Sequence, residues 1–284
     1  MEKKLLVTAL VLNYQGEKII SECLASVESQ RGDFDLSIKC LDNGSTDDSR
    51  IIISQKHAGV KLLLNNNNES FTYSYNRLIA DEKSDYYVII SNDVSLPNSD
   101  VFQRCLSELV NDQSVAAVGA RSVRPDGKLD RIHKKNLTFW EVFESFSLPA
   151  FLRNDDRKND VVNQTERSYV EVLQDSFVFL RSDSYDREKF FNENMRFYYT
   201  EDQICNDWTD AGWNLLYEPS IRVNHILSYS TRKTNKYKVY KGYLNDAIAY
   251  SRWRFGLGQG LLVSMGGYVQ LPLKFFFWKL KSAA

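Results

Sequence analysis

In the stretch Tyr87-Val-Ile-Ile-Ser-Asn-Asp-Val-Ser-Leu-Pro97, an apolar, β-branched run stops abruptly on polar residues. Such a run reads as a buried strand. Ser91, Asn92 and Asp93 mark the point where the chain leaves the sheet. Open α/β sheets bind ligands in the crevice outside the carboxyl ends of their strands, so Asp93 is placed at a ligand crevice.

The preceding residues repeat the pattern. Leu5 to Leu12 reads as a strand ending in Asn13-Tyr14, with a turn at Gly16-Glu17. Ile20, Cys23, Leu24 and Val27 then recur at helical spacing. Asp35 to Leu41 is a second strand, closed by Asp42-Asn43-Gly44-Ser45-Thr46-Asp47, a turn followed by helix-capping residues. A helix through Ile51 and Ile52, a strand at Val60–Leu64, four asparagines (Asn65 to Asn68) and a helix at Tyr73–Ala80 lead to the Tyr87 strand. This alternation predicts a doubly wound, mostly parallel sheet with helices on both faces. Asn13, Asp42, Asn65 to Asn68 and Asp93 then emerge on one edge.

Beyond Pro97 the pattern loosens. Val101–Val110 reads as a helix, Val115–Gly119 as a strand, Pro125-Asp126-Gly127 as a turn and Phe139–Leu152 as an aromatic helix. Asn154–Thr165 reads as a mobile loop and Tyr169–Leu180 as one strand. Thr200 is expected to cap a helix carrying Glu201, Asp202, Ile204, Cys205 and Trp208. Leu215–Tyr217 reads as a short strand, with His225 just beyond Ile221 and Val223. Tyr240, Tyr243, Leu244, Ala247, Ile248, Ser251 and Phe255 share one face of a later helix.

With 284 residues, 43% hydrophobic and 26% charged, the chain suits one large α/β domain or one with an appendage. The net charge of −1 hides an asymmetry. From Arg222 onward there are 11 Lys and Arg against one acid, Asp246, a balance of +10 on a body of −11. A basic, aromatic-rich end points to an anionic surface, lipid headgroups or nucleic acid, or else to an ordinary basic face. Cys23, Cys40, Cys105 and Cys205 form no CxxC pair and read as core residues of a reducing compartment. Met1-Glu2-Lys3-Lys4 leads straight into a strand pattern, not a signal peptide. The apolar run from Leu261 to Trp278 is interrupted by Gly266, Gly267, Gln270 and Pro272, short of the ~20 residues a membrane helix needs.

There is no GxGxxG after the first strand and no GxxxxGK[ST], so no glycine loop cradles phosphates. A carboxylate and an imidazole holding Mg²⁺ or Mn²⁺ would neutralise a diphosphate instead, with Asp93 and His225 as candidates. Taken singly, Asp93 also reads as a turn residue and His225 as a structural one.

The ordered set Asn13-Tyr14, the DNGSTD element at Asp42–Asp47, Asn68 to Asn76, Ser91-Asn92-Asp93, Glu201-Asp202 and His225 resembles family 2 glycosyltransferases of GT-A fold. It looks most like the rhamnosyltransferase-like branch that builds bacterial surface polysaccharides. The resemblance covers about residues 5–232. It implies a Rossmann-like GT-A catalytic domain over 1–232, with a nucleotide-binding half (1–100) and an acceptor half (101–232). A C-terminal helical extension fills 233–284.

Carried over, the resemblance gives nucleotide contacts to Asn13, Tyr14, Asp42, Asn43, Asn68, Asn76 and Asn92. Asp42 would bond the edge of a uracil or thymine ring. Asp93 matches the second acid of the family's D-x-D and His225 its late histidine, together holding Mn²⁺ or Mg²⁺. Ser91 stands where the first acid would be, and Ser70 where the family has glycine. Asp202 matches the catalytic base, with Glu201 beside it as the alternative. Inverting transfer needs a single base opposite the leaving group, unlike glycoside hydrolysis with its two carboxyl groups. In family terms Asp175 lies near the acceptor region, with no role assigned.

Arg252-Trp253-Arg254 resembles the QxxRW of processive members, but Ala249 stands at the Gln position, so single-sugar transfer is expected. Phe275-Phe276-Phe277-Trp278 with Lys274, Lys279 and Lys281 suits a helix lying in a membrane interface, or else a homodimer contact or a packed tail. The implied partners are a dTDP- or UDP-sugar and a lipid-linked or oligosaccharide acceptor. The implied place is the inner face of the cell membrane, with no nucleic-acid partner. Two rivals are a sugar nucleotidyltransferase and a non-catalytic nucleotide-binding subunit. The first usually carries a basic, glycine-rich loop after its first strand, and Asn13 to Glu17 is not one.

Overall fold

The computed structural model describes residues 4–130, 135–148, 165–185, 189–226 and 236–283, with backbone alone at 236, 273 and 275–283. The first half alternates β1 (Leu5–Asn13), α1 (Ile20–Glu28), β2 (Phe34–Asn43), α2 (Ser49–Lys56), β3 (Lys61–Asn65), α3 (Phe71–Ala80) and β4 (Tyr86–Ser91). These strands are parallel, in the order β3-β2-β1-β4. The second half adds β5 (Val94–Ser95), α4 (Val101–Asn111), β6 (Val115–Val123), α5 (Phe139–Ser147), β7 (Ser168–Val170) and β8 (Phe177–Arg181). It continues with α6 (Thr200–Asp210), β9 (Asn214–His225), α7 (Lys236–Arg254) and α8 (Leu257–Ala283).

The nine-stranded sheet continues from β4 through β8, β6 and β9 to β5, and β7 also pairs with β9. β6 and β9 run with the first four strands; β8, β5 and β7 run against them. Strand alternation sends side chains to two cores. Val7, Ala9, Val11, Val88 and Ile90 pack with α1 and α4 through Leu24, Phe102 and Leu106. Leu10, Tyr87 and Ile89 pack on the other face with α3 and α6 through Tyr75, Leu78, Ile204 and Trp208. All four cysteines are buried and free.

A third core joins α5, α7 and α8 through Val142, Phe146, Leu244, Ala247, Tyr250 and Val263, with Met195 and Tyr199 from the approach to α6. The expected boundary at 232/233 and the loop expected over 154–165 lie outside the described residues, save Thr165.

Three expectations change. The strand expected over Tyr169–Leu180 is two, because residues 171–176 leave the sheet and carry Asp175 to the site. The Leu215–Tyr217 strand extends through a bulge to His225, pairing with β6. Thr200 does not cap α6. The cap is Tyr199, in a left-handed conformation (φ 62°), and Thr200 is the first helical residue.

Candidate active site

The carboxyl ends of β1, β2, β3 and β4 stand side by side, since Asn13 pairs with Asp42, Asn43 with Asn65, and Leu12 with Ser91. Asp42 is the hub of this edge. Fully buried, it accepts from Asn13 Nδ2 at 2.8 Å, the Ser45 backbone N–H at 3.0 Å and Arg50 Nε at 2.6 Å. A buried carboxylate persists when paired and hydrogen-bonded, and here both oxygens are engaged. Asn92 Nδ2 donates to Asn13 Oδ1 at 2.9 Å, so Asn92 orients Asn13.

The loop after β1 is fastened to the loop after β2. The Gln15, Gly16 and Glu17 backbone N–H groups donate to Ser45, Ser49 and Asp47, each at 3.0 Å. Gly44 is required twice over: its φ is 78°, and a Cβ there would lie 2.5 Å from the Asn67 backbone. Asn43 binds the asparagine run, donating to Asn68 Oδ1 (3.0 Å) and the Glu69 carbonyl (2.9 Å). Asn68 is left exposed at the edge. Ser70, in place of the family's glycine, has extended backbone and caps α3 by accepting from the Tyr73 N–H. Glycine is not needed there.

Asn76 lies elsewhere. It donates to the Phe191 carbonyl (2.9 Å) and Glu193 Oε1 (3.1 Å) and accepts from the Phe191 N–H (2.7 Å), tying α3 to the segment before α6.

β5 and β9 bring the two candidate metal ligands together. Val94 pairs with His225, and the Ile226 N–H donates to the Asp93 carbonyl. His225 Nε2 is 3.4 Å from Asp93 Oδ1, and its Nδ1 donates to Asp130 Oδ2 at 2.9 Å. Asp130 also accepts from Ser122 Oγ and Arg124 Nε, both at 2.5 Å. Burial alone would raise Asp130 and lower His225. The bonds from His225, Ser122 and Arg124 outweigh it and hold Asp130 at about 2. The two carboxylates likewise push His225 up to about 9. Asp130 is the residue sequence reasoning missed. The Pro125-Asp126-Gly127 turn was its signal: it folds the chain back so that Asp130 opposes Ser122.

Among the described residues no three His, Cys, Asp or Glu side chains are grouped to hold a metal ion. The donor set nevertheless fits one. Asp93 offers a hard carboxylate and His225 an imidazole. Asp130 fixes His225 Nδ1 as a donor and aims Nε2 at Asp93, the carboxylate–histidine arrangement typical behind metal ligands.

The third cluster surrounds the start of α6. Thr200 Oγ1 donates to Asp175 Oδ2 at 2.7 Å. Burial raises the Asp175 carboxyl above the usual range, opposed by bonds with Thr200 and Glu201 and by the positive charge of His225. Thr200 thus fastens Asp175 to the start of α6. Asp202 is buried one residue beyond Glu201, and its carbonyl accepts from Asn206 Nδ2 at 2.6 Å. Tyr199 is held in its left-handed conformation by ring stacking on Tyr243 and Tyr250 of α7, each with centroids 5.1 Å apart. The C-terminal helices thereby fix the approach to the two acids.

Arg252 and Trp253 line a cavity of about 700 Å³ between α7, α8 and the Asn192–Asn194 turn, while Arg254 pairs with Asp210 at 2.5 Å. The side chains of Phe275 to Trp278, on which a membrane contact was expected, lie outside the described residues.

A mixed sheet with helices on both faces and a polar edge at its strand ends is the layout of a GT-A-like fold. The model of glycosyl transferase family 2 matches residues 8–170, and the chain belongs to that family. No curated protein matches the chain. Among solved structures, the mannosyltransferase PcManGT from Pyrobaculum calidifontis, in complex with GDP-Man and Mn²⁺, is similar at 12% identity and TM-score 0.59, over 99% of this chain and 85% of that one. GalNAc-T7 with UDP, GalNAc and Mn²⁺ is similar at 12% identity and TM-score 0.62, over 91% of this chain but only 50% of that one. S. aureus TarS, residues 1–349, is similar at 11% identity and TM-score 0.54, over 92% and 70%. At such identities the likeness is one of fold.

Proposed function

We propose that the protein is an inverting, metal-dependent, non-processive glycosyltransferase of surface-polysaccharide synthesis. It moves one sugar from a dTDP- or UDP-sugar to a lipid-linked or growing glycan at the inner face of the membrane. Rhamnose is the sugar of the branch it resembles. The observation that carries the reading is a single sheet edge bearing the Asn13–Asp42–Asn92 network and the Asp93–His225–Asp130 chain. Two of the similar structures, under their own names, hold Mn²⁺ with a nucleotide or nucleotide-sugar.

In this reading Asn13, Tyr14, Asn43, Asn68 and Asn92 form the nucleotide rim. Asp42 meets the base edge once Arg50, half-exposed above it, gives way. Asp93 and His225 hold Mn²⁺ or Mg²⁺, which when bound neutralises charge on the diphosphate. Asp202 accepts the proton of the acceptor hydroxyl as its oxygen bonds the anomeric carbon from the face opposite the departing nucleoside diphosphate. Glu201 shares a hydrogen bond with Asp175.

The test is Asp202→Asn. Transfer should fall about 10²–10⁴-fold, the usual worth of a general base, with donor binding retained. Unchanged transfer removes Asp202 as base. A chain with no transfer in the wild type but intact nucleotide binding would be a non-catalytic subunit, the role for which Ser91 in place of an acid leaves room.

A further inference from the structure

We propose that the outer face of α8 is a docking surface for an anionic lipid bilayer. Leu257, Leu261, Met265 and Val269 follow one another at intervals of four residues and are 79%, 56%, 60% and 72% exposed. Spacing of four keeps them on one side of the helix, a stripe about 18 Å long at 1.5 Å per residue. Leu262 and Tyr268 flank it, also exposed. From 257 to 273 the chain has no charged residue.

The opposite side of α8 is already occupied. Val263 and Leu271 are buried, and a Cβ at Gly266 would strike Ser147 of α5, one at Gly267 Leu244 of α7. These glycines let α8 pack closely on its neighbours. The outer apolar residues therefore take no part in the core, and an apolar face this long marks an interaction surface.

Charge selects the occupant. The segment from Arg222 onward carries 11 Lys and Arg and one acid. That acid, Asp246, is buried and accepts from the Phe197 and Tyr198 backbone N–H groups. Arg254 is paired with Asp210, and the remaining charge this segment can show to a partner is positive. A second copy meeting it face to face would oppose like charges, whereas anionic headgroups complement it. Among the described residues no helix is long and apolar enough to cross a membrane. An apolar stripe followed by Lys274, Lys279 and Lys281 suits a helix lying on the surface instead. Exposed Trp140 stands beside the start of α8, since Phe139 packs on Phe255 with centroids 5.9 Å apart, and tryptophan favours the headgroup level.

Docking rests on the membrane location of the proposed function but not on sugar transfer itself, and a lipid-linked acceptor would be met on this side. The experiment is sedimentation of the full chain with large unilamellar vesicles, phosphatidylglycerol-rich or of phosphatidylcholine alone, at low and high salt. Binding to the phosphatidylglycerol-rich vesicles should exceed binding to phosphatidylcholine at least tenfold and weaken with salt. Leu261→Asp with Met265→Asp should lower it a further tenfold or more, at unchanged circular dichroism and melting temperature. If the aspartates disturb α8, Leu261→Gln with Met265→Gln gives the same reading with less charge. No binding by the wild type, or variant binding equal to wild type, overturns the proposal. So does a dimer in light scattering that the variant abolishes, which would put a second copy on this face. Vesicle binding needs no donor, so failure of the transfer reading leaves this result standing.

Discussion

Asp130→Asn separates the charge behind His225 from its shape. In the metal-free protein His225 holds its second proton up to about pH 9, between Asp93 and Asp130. On the proposed function, metal bound at Nε2 would displace that proton, so at pH 7 the observed affinity should lie about 100-fold below its alkaline limit and rise about tenfold per pH unit until the site is deprotonated. Asn at 130 still accepts from Nδ1 but brings no charge. The alkaline-limit affinity for Mn²⁺ should fall about 10–100-fold, roughly 1.4–2.8 kcal/mol, while the midpoint of the proton competition moves to lower pH. At pH 7 the two effects partly cancel; at pH 9 the loss stands alone.

Stability without metal follows the same groups. The raised His225 contributes stability that is full below about pH 6.5, its unfolded value, and is lost as pH climbs towards 9. The lowered Asp130 contributes above its unfolded value of about 4 and loses it as pH falls towards 2. The variant should lose the Asp130 limb and keep a smaller His225 limb, since Asp93 still bonds and charges that histidine. The assay is calorimetric titration of Mn²⁺ with UDP or dTDP present from pH 6 to 9, beside thermal melts. Superimposable pH profiles for wild type and Asp130→Asn would refute the role given to Asp130.

Three further outcomes follow from the site. Gly44→Ala puts a side chain on a left-handed backbone and against Asn67, and should cost about 1–3 kcal/mol, a few degrees in melting temperature, with weaker nucleotide binding. Glu201→Gln keeps a hydrogen-bonding partner for Asp175 and should leave transfer within about tenfold of wild type, well short of the effect expected for Asp202→Asn; equal losses would return Glu201 as the base. Asn76→Ala removes three hydrogen bonds to Phe191 and Glu193 and should cost about 1–3 kcal/mol, visible as faster amide exchange over 191–195 and no change in nucleotide affinity.

The nucleotide-side edge was legible because each of its residues sits at the end of a periodic element. Buried strands announce themselves as apolar runs, and Asn13, Asp42 and Asp93 lie where those runs stop. The GT-A fold followed from that alternation and from the resemblance. The partners of these residues were not legible, since they depend on contacts across the sheet. Asp130 and His225 are 95 residues apart and meet through the β6–β9 pairing and the hairpin after β6. The Tyr169–Leu180 run looked continuous because its break is made by Asp175, whose place is set by Thr200 and Glu201 in α6. Thr200 looked like a cap by composition, but stacking of Tyr199 on α7 moved the helix start by one residue. Gly266 and Gly267 read as interruptions and serve instead as points of close approach.

The most direct measurement is thermal denaturation with dTDP, UDP, GDP or CMP, each with Mn²⁺, Mg²⁺ or EDTA, for wild type, Asp93→Asn and His225→Ala. A ligand at 100 times its dissociation constant adds about 2.7 kcal/mol, some 5 °C for a chain of this size. The account predicts such a rise with dTDP or UDP and a divalent ion, lost with EDTA and in both variants. A rise indifferent to EDTA and to both substitutions, or no rise with any nucleotide, would contradict it.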